Sequence, residues 1–246
     1  MTAVTDSSVM QRLRRWIKPL SATPLHPQWL LRTGRSPVAL VAQSSGRVLD
    51  VGCADRWAQS NLSKNCEYIG LDYPATGQAL YKATPDIFAS ASALPFASSS
   101  FDTVLLLEVL EHLEQPAFAL AEIRRVLKPN GRLLLTIPFL YPMHDEPHDY
   151  QRYTRYGLIR ELKVAGLTLE CIESSLKSAS SAGLLVNLAF AGMIIEAVRE
   201  RSFAMLVTPL LLVAIPVINL SAWLVDRVMP NWSPLASGYQ VLASRR

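Results

Sequence analysis

The chain has 246 residues, half of them hydrophobic, which is enough for one α/β domain with a full core plus an appendage. Its 24 basic and 20 acidic residues leave a net charge of only +4, and no Lys/Arg run or basic–aromatic interleaving marks a nucleic-acid groove, so no nucleic-acid partner is expected. Cys53, Cys66 and Cys171 form neither an even disulfide set nor a metal spacing, which favours a reducing compartment, while a mean hydropathy of +0.20 is high for a purely soluble enzyme.

In chain order, residues 8–18 predict a short basic amphipathic helix carrying Arg12, Arg14, Arg15 and Lys18. Those charges suit a solvated face or an anionic membrane surface equally well. Pro19, Pro24 and Pro27 interrupt the stretch where a secretory signal needs an apolar core, so no such signal is expected. A second helix over 29–42 completes an N-terminal helical segment, residues 1–46. An α/β alternation follows, with strands at 47–51, 67–71, 101–107 and 131–137 and a weakly marked one near 86–90. Helices are expected near 56–64 and 116–127. Val104 to Leu107 is apolar throughout, as in a parallel strand covered on both faces, and Lys128-Pro129-Asn130-Gly131 is turn chemistry. A helix over 154–165 capped by Gly166, a strand over 167–172 and an antiparallel strand over 239–244 close the sheet.

The stretch Arg47-Val48-Leu49-Asp50-Val51-Gly52-Cys53-Ala54-Asp55 is a buried strand running into a Gly-containing turn, and the next strand ends in Asp72. That is the nucleotide-binding layout of doubly wound α/β domains: the turn brings backbone close to the ligand and the acid accepts ribose hydroxyls. A pyrophosphate binder requires G-x-G-x-x-G, and here Ala54 and Arg56 stand where further glycines would close the turn. Four more fragments follow in order: Ala93-Leu94-Pro95-Phe96, Ser100-Phe101-Asp102-Thr103-Val104, Glu108-Val109-Leu110-Glu111-His112, and Arg125 to Gly131. Over roughly half its length the chain resembles the class I S-adenosylmethionine-dependent methyltransferases.

The resemblance implies a doubly wound, mostly parallel seven-stranded sheet with helices on both faces, over 47–176 plus 239–246, and S-adenosylmethionine as cofactor. It also implies that Asp50, Gly52, Cys53 and Ala54 form the loop beside the methionine portion, with Cys53 a packing residue. Asp72 would bind the ribose and Tyr73 would flank the adenine. Ser90 and Ala91 stand where relatives often carry an acid for the adenine amine, and Glu108 would line the pocket. Glu111 and His112 are expected to cap or pack the following helix.

Pro138 to Thr154 lies just past the fifth strand, where acceptor and methyl group must meet, and resembles a subgroup with P-H-D-Y-x-R-Y-T, often linked with cell-envelope or polysaccharide pathways. Imidazoles with carboxylate neighbours suit a general base. His148 is the expected base, His144 the second choice and Asp149 the orienter, unless Asp149, Arg152 and Tyr153 simply fix the loop. His144 and His148 also have a ligand spacing, but Pro147 breaks the helix that would align them, so no metal is expected.

Residues 177–238 form a hydrophobic helical insertion before the last strand. Residues 203–225 carry no charge and are long enough as a helix to span a hydrocarbon core of about 30 Å. Because the chain must return to the sheet, one crossing is excluded, and Pro209, Pro216 and the charged 199–201 link favour a monotopic element dipping into one leaflet. The expected protein is a cytoplasmic-face, membrane-associated methyltransferase, contacting the membrane through 182–225 and acting on a small or lipid-linked acceptor. The insertion would instead be a buried helical subdomain or an oligomer interface if it avoids lipid, and the oligomeric state is open. The competing functional readings are a silent scaffold of the same fold and a nucleotide-dependent oxidoreductase or epimerase.

Overall fold

The computed structural model describes residues 18–78 and 83–246, so the basic helix expected over 8–18 falls, except for Lys18, outside the described residues. The chain divides into two compact units: the segment up to Arg35 with Leu176–Ser237, and Ser36–Ser175 with Gly238–Arg246. The division after the N-terminal segment thus falls at residue 35, where the sequence had placed it at 46.

The second unit is a seven-stranded sheet in the order β3-β2-β1-β4-β5-β7-β6. Its strands are β1 (Arg47–Val51), β2 (Glu67–Asp72), β3 (Ile87–Phe88), β4 (Phe101–Leu107), β5 (Leu127–Pro138), β6 (Thr168–Ser174) and β7 (Gly238–Ser244). β1 to β5 are parallel, and β7 lies antiparallel between β5 and β6. Strand order reverses between β1 and β4, so the crevice for a ligand lies off the carboxyl ends of these strands. Val48, Leu105 and Leu134 pack with Leu40, Val41 and Ala58 into one buried cluster. Helix α1 (Pro37–Val41) supplies Leu40 and Val41 to it, and the short α2 (Pro74–Thr76) follows β2. α3 (Pro116–Val126) buries Ala119, Leu120, Ile123 and Val126, and α4 (Arg155–Val164) starts at Thr154, whose hydroxyl accepts the Gly157 N–H at 3.1 Å.

Two expected helices are broken, each for a local reason. Over 29–42 only a 3₁₀ turn (Trp29–Arg32) and α1 form, because Pro37 disfavours helix at Ser36, which instead caps α1 by accepting the Val38 N–H. Over 56–64 only a 3₁₀ turn at Gln59–Asn61 forms. Ser60 Oγ and Asn61 Nδ2 both donate to the Trp57 carbonyl at 2.8 Å, occupying the acceptor a helix would use. The turn expected at 128–131 exists as an irregularity inside β5, with Asn130 at φ 62°.

The helical unit is built on α5 (Ser178–Arg199) and α6 (Thr208–Val228). Their hydrogen bonds give an antiparallel register: Asp226 accepts the Ala179 and Ser180 N–H groups at 3.1 and 2.9 Å, and Asn187 Nδ2 donates to Asn219 Oδ1 at 2.8 Å. Asp226 thereby serves the orphan donors and the positive end of α5. Asn219 in turn donates to the Pro24 and His26 carbonyls, so the two buried amides are bonded within otherwise apolar helices. Gly183 permits this approach, since a Cβ there would meet Ala222 Cβ at 3.0 Å and Leu30 Cδ1 at 3.1 Å.

Candidate functional site

The loop after β1 is the first wall of the site. Gly52 has φ +77°, and a Cβ there would collide with Val109 Cγ2 from the turn after β4. Ala54 (φ 43°) and Arg56 (φ 61°) keep left-handed conformations that glycine adopts freely, a strain of about 1–2 kcal/mol each. Compensating contacts hold the loop. The Arg56 guanidinium donates to both Asp86 oxygens at 3.0 and 2.9 Å, and Asp86 Oδ2 also accepts the Gly70 N–H at 2.8 Å. The Ala54 N–H donates to Asp72 Oδ2 at 2.8 Å.

Asp72, at the end of β2, also accepts the Tyr73 N–H at 2.8 Å through Oδ1. Asp50 is buried and accepts the Tyr68 hydroxyl at 2.7 Å. Burial pushes its carboxyl up to about 6, against the pull of that hydrogen bond. Burial, then the Asp50 and Asp72 charges, push the Cys53 thiol up to about 12, which fits a packing residue and not a nucleophile. Tyr73 is half-exposed. Ser90 accepts the Ser92 N–H at 3.2 Å and the neighbouring Ala91 is buried.

The second wall is built on the turn after β4 and the loop after β5. Glu108 has φ 56°, and its N–H donates to the Thr136 carbonyl at 3.0 Å. Its residue surface is open to solvent, while protein packs around its carboxyl group. That surround raises the carboxyl against the pull of Thr136, His144 and Arg152. Glu111 is fully buried with both carboxylate oxygens unbonded. Burial and the Glu108 charge push its carboxyl up to about 9. His112 bonds through Nδ1 to the His148 carbonyl at 2.7 Å, and its ring meets that of His144 edge-on at 4.9 Å. Burial lowers its pKa. Of the expected capping or packing of the next helix, the capping does not occur: α3 is preceded by Gln115, with no side-chain cap bond.

Asp149 does not reach His148. It accepts the His144 N–H at 2.9 Å, lies 3.4 Å from His144 Nδ1, and pairs with Arg152 through both oxygens. Burial works to raise its carboxyl, and the Arg152 and His144 bonds outweigh burial and hold it below the ordinary value. The His148 ring instead has Tyr150 Oη at 3.4 Å from Nδ1, and that hydroxyl donates to Glu114 Oε1 at 3.0 Å. The orienting group expected of Asp149 is therefore Tyr150, because the Asp149 side chain turns back into the loop toward Arg152. Gln151 Nε2 fastens the loop to the Leu110 and Leu113 carbonyls at 2.8 and 2.7 Å.

The structure thus groups Asp50, Gly52, Cys53, Ala54, Asp72 and Tyr73 around the β1 and β2 ends. It groups Glu108 with His144 and Asp149 across the β4 and β5 ends. Sequence reasoning missed the Arg56–Asp86 clamp, the Tyr68–Asp50 bond and the Glu111–His112 contribution. The spacing Glu108, Glu111, His112 directly after a strand was the available signal for the last.

The Methyltransferase domain family matches residues 49–135. A protein of Mycolicibacterium smegmatis described as a probable S-adenosylmethionine-dependent methyltransferase is 31% identical over 178 residues, covering 67% of this chain and 68% of that one. The ubiquinone biosynthesis O-methyltransferase of Paracidovorax citrulli is 35% identical over 129 residues, covering 48% and 54%. The chain spans 40% to 54% of the length of the first curated relatives it matches. The solved S-adenosylmethionine-dependent methyltransferase of Mesorhizobium loti shares the fold with a TM-score of 0.50 at 17% identity, covering 89% of this chain and 98% of that one.

Proposed function

The chain belongs to the S-adenosylmethionine-dependent methyltransferases, and on that premise we propose that it methylates a small or lipid-linked acceptor at the cytoplasmic face of a membrane. The residues present fit the cofactor. Each Asp72 oxygen accepts a single backbone N–H, which leaves acceptor capacity for the ribose hydroxyls. The missing Gly52 Cβ keeps the loop floor clear beside Val109. Bound S-adenosylmethionine supplies an electrophilic methyl group on a sulfonium.

This chain's residues then have holding and proton-handling roles. Asp50, Gly52, Cys53 and Ala54 would shape the loop beside the methionine portion. Tyr73, Ser90 and Ala91 would flank the adenine, and Glu108 would line the cofactor pocket. His148, with Nδ1 directed at Tyr150, has Nε2 available to take the acceptor's proton. His144, held by Asp149, is the second candidate.

The observation that carries the membrane reading is the apolar surface of the helical unit. Phe203–Val228 has a mean hydropathy of 2.3 over its most apolar window, of which only 11% is buried; for Ser178–Arg199 the values are 1.8 and 28%. A soluble core helix of this composition would be largely covered. Phe203 and Leu206, between the two long helices, are 92% and 83% exposed. A membrane-seated enzyme meets acceptors that partition into lipid, and the resemblance to a ubiquinone-pathway O-methyltransferase agrees with such an acceptor. Flotation with lipid vesicles tests the reading: the protein should rise with vesicles in high salt and be released by detergent. A detergent-free, monodisperse protein that stays with the soluble fraction would refute it.

A further inference from the structure

Glu111 poses a problem that the methyl-transfer reading does not solve. Its carboxyl group is fully buried, and neither oxygen has a hydrogen-bond partner. Even as the neutral acid that burial favours, a buried carboxyl with neither oxygen hydrogen-bonded is unfavourable unless something else completes it. The nearby Arg152 turns its two terminal nitrogens to Asp149 and to the Pro142 and Gln151 carbonyls, and its buried Nε makes no hydrogen bond to Glu111 or to any other group.

What Glu111 faces is a set of ligand atoms. Atoms of Glu111, His112 and His144 all lie within 4.8 Å of one another, and Glu111 Oε1 is 3.7 Å from His112 Nε2. Ligands bound to one cation at about 2.1 Å stand roughly 3–4 Å apart, so Glu111 and His112 already have that separation and small side-chain rotations bring in His144. The histidines are prepared for the task. His112 Nδ1 lies 2.7 Å from the His148 carbonyl, which requires a proton on Nδ1 and leaves the Nε2 lone pair free. His144 Nδ1 faces the Pro142 carbonyl and Asp149 Oδ2 at 3.3 and 3.4 Å, with the Arg152 Nη2 donor slightly farther at 3.5 Å; the two nearer acceptors favour a proton on Nδ1 and leave Nε2 free. Histidine ligands held by a carbonyl or carboxylate on the second nitrogen are the usual outer shell of a protein metal site.

We propose that Glu111, His112 and His144 bind a divalent first-row transition cation. Two imidazoles and a carboxylate, with no thiolate, favour Mn²⁺, Fe²⁺ or Zn²⁺ over Ca²⁺ or Mg²⁺. Three protein ligands leave coordination positions for water or for an oxygen-bearing acceptor, and Glu108 lies near enough to act on both Glu111 and His144. His144 and His148, the pair whose sequence spacing Pro147 disqualifies, do not form the site. The partner of His144 is His112, and His148 contributes the carbonyl that orients it.

The test uses the full chain in detergent, stripped with EDTA and titrated calorimetrically with MnCl₂, ZnCl₂ and MgCl₂. We expect one equivalent of Mn²⁺ or Zn²⁺ to bind, with Mg²⁺ far weaker. Glu111→Gln should weaken Mn²⁺ binding at least 100-fold while the metal-free thermal midpoint stays the same or rises. His144→Ala, read against the same fold control, should give a comparable loss. No stoichiometric binding by the unaltered protein, or binding that survives both substitutions, would overturn the proposal. Neither readout depends on finding the acceptor, so its failure is separable from failure of the membrane reading.

Discussion

The Asp72 carboxylate accepts the Ala54 N–H at 2.8 Å, so the acid ending β2 and the loop after β1 are one hydrogen-bonded unit. Removing it loses the ribose acceptor and loosens the loop together. Asp72→Ala should weaken S-adenosylhomocysteine binding by about 100-fold or more, the loss of one or two charge-assisted hydrogen bonds. Asp72→Asn, which keeps one acceptor oxygen, should fall between. Titration calorimetry decides, and equal affinities for all three proteins would remove Asp72 from the site.

Asp50 offers a pH test of stability. Its folded pKa of about 6 lies above the ordinary 3.8 because of burial, so the folded state holds this proton more tightly than the unfolded chain. The associated stability is full below about pH 4 and is lost as pH rises through about 6. Asp50→Asn, still able to accept the Tyr68 hydroxyl, should therefore be more stable than the unaltered protein at pH 7.5, by up to about 3 kcal/mol, with the advantage vanishing near pH 4. Denaturant midpoints at the two pH values give the answer. An advantage that grew on acidification would contradict the assignment.

The strands and the cofactor loop were legible because their signals are local: an apolar run for β4, a Gly turn after β1, an acid ending β2. What was not legible depended on partners distant in sequence. Arg56 stands where a further glycine would close the turn, and its partner Asp86 lies 30 residues away across the loop. The helix expected over 56–64 lost to side chains that bond Trp57's own carbonyl. Asp149 follows His148 in sequence, but its side chain turns toward Arg152, a choice that adjacency cannot reveal. The antiparallel pairing of α5 and α6 through Asn187 and Asn219 likewise depends on partners 32 residues apart, which no local pattern reveals.

His148 and Asp149 should separate by phenotype. His148→Ala should reduce kcat by about 10²–10⁴-fold, the usual contribution of a general base, with S-adenosylhomocysteine affinity unchanged. Tyr150→Phe should give a smaller kcat loss. Asp149→Asn breaks the pair with Arg152 and should appear first as lost stability, about 3 kcal/mol, in thermal unfolding. A His148→Ala enzyme with undiminished kcat would remove His148 as the base.

Val213 and Val217 are exposed on α6, 64% and 59%. Val213→Asp with Val217→Asp should abolish vesicle flotation, since each charge adds roughly 2.5–3.5 kcal/mol in a bilayer-buried helix. The fold control is retained S-adenosylhomocysteine binding. Flotation unaffected by both charges would show that this face does not enter lipid.

The most direct measurement follows the methyl group itself. The detergent-solubilised protein is incubated with methyl-tritiated S-adenosylmethionine and a total lipid extract, then partitioned between organic and aqueous phases beside the Asp72→Ala control. The account predicts protein-dependent label in the organic phase that the control lacks. Label confined to water-soluble products, or equal in both proteins, would contradict a methyltransferase acting on a membrane-resident acceptor.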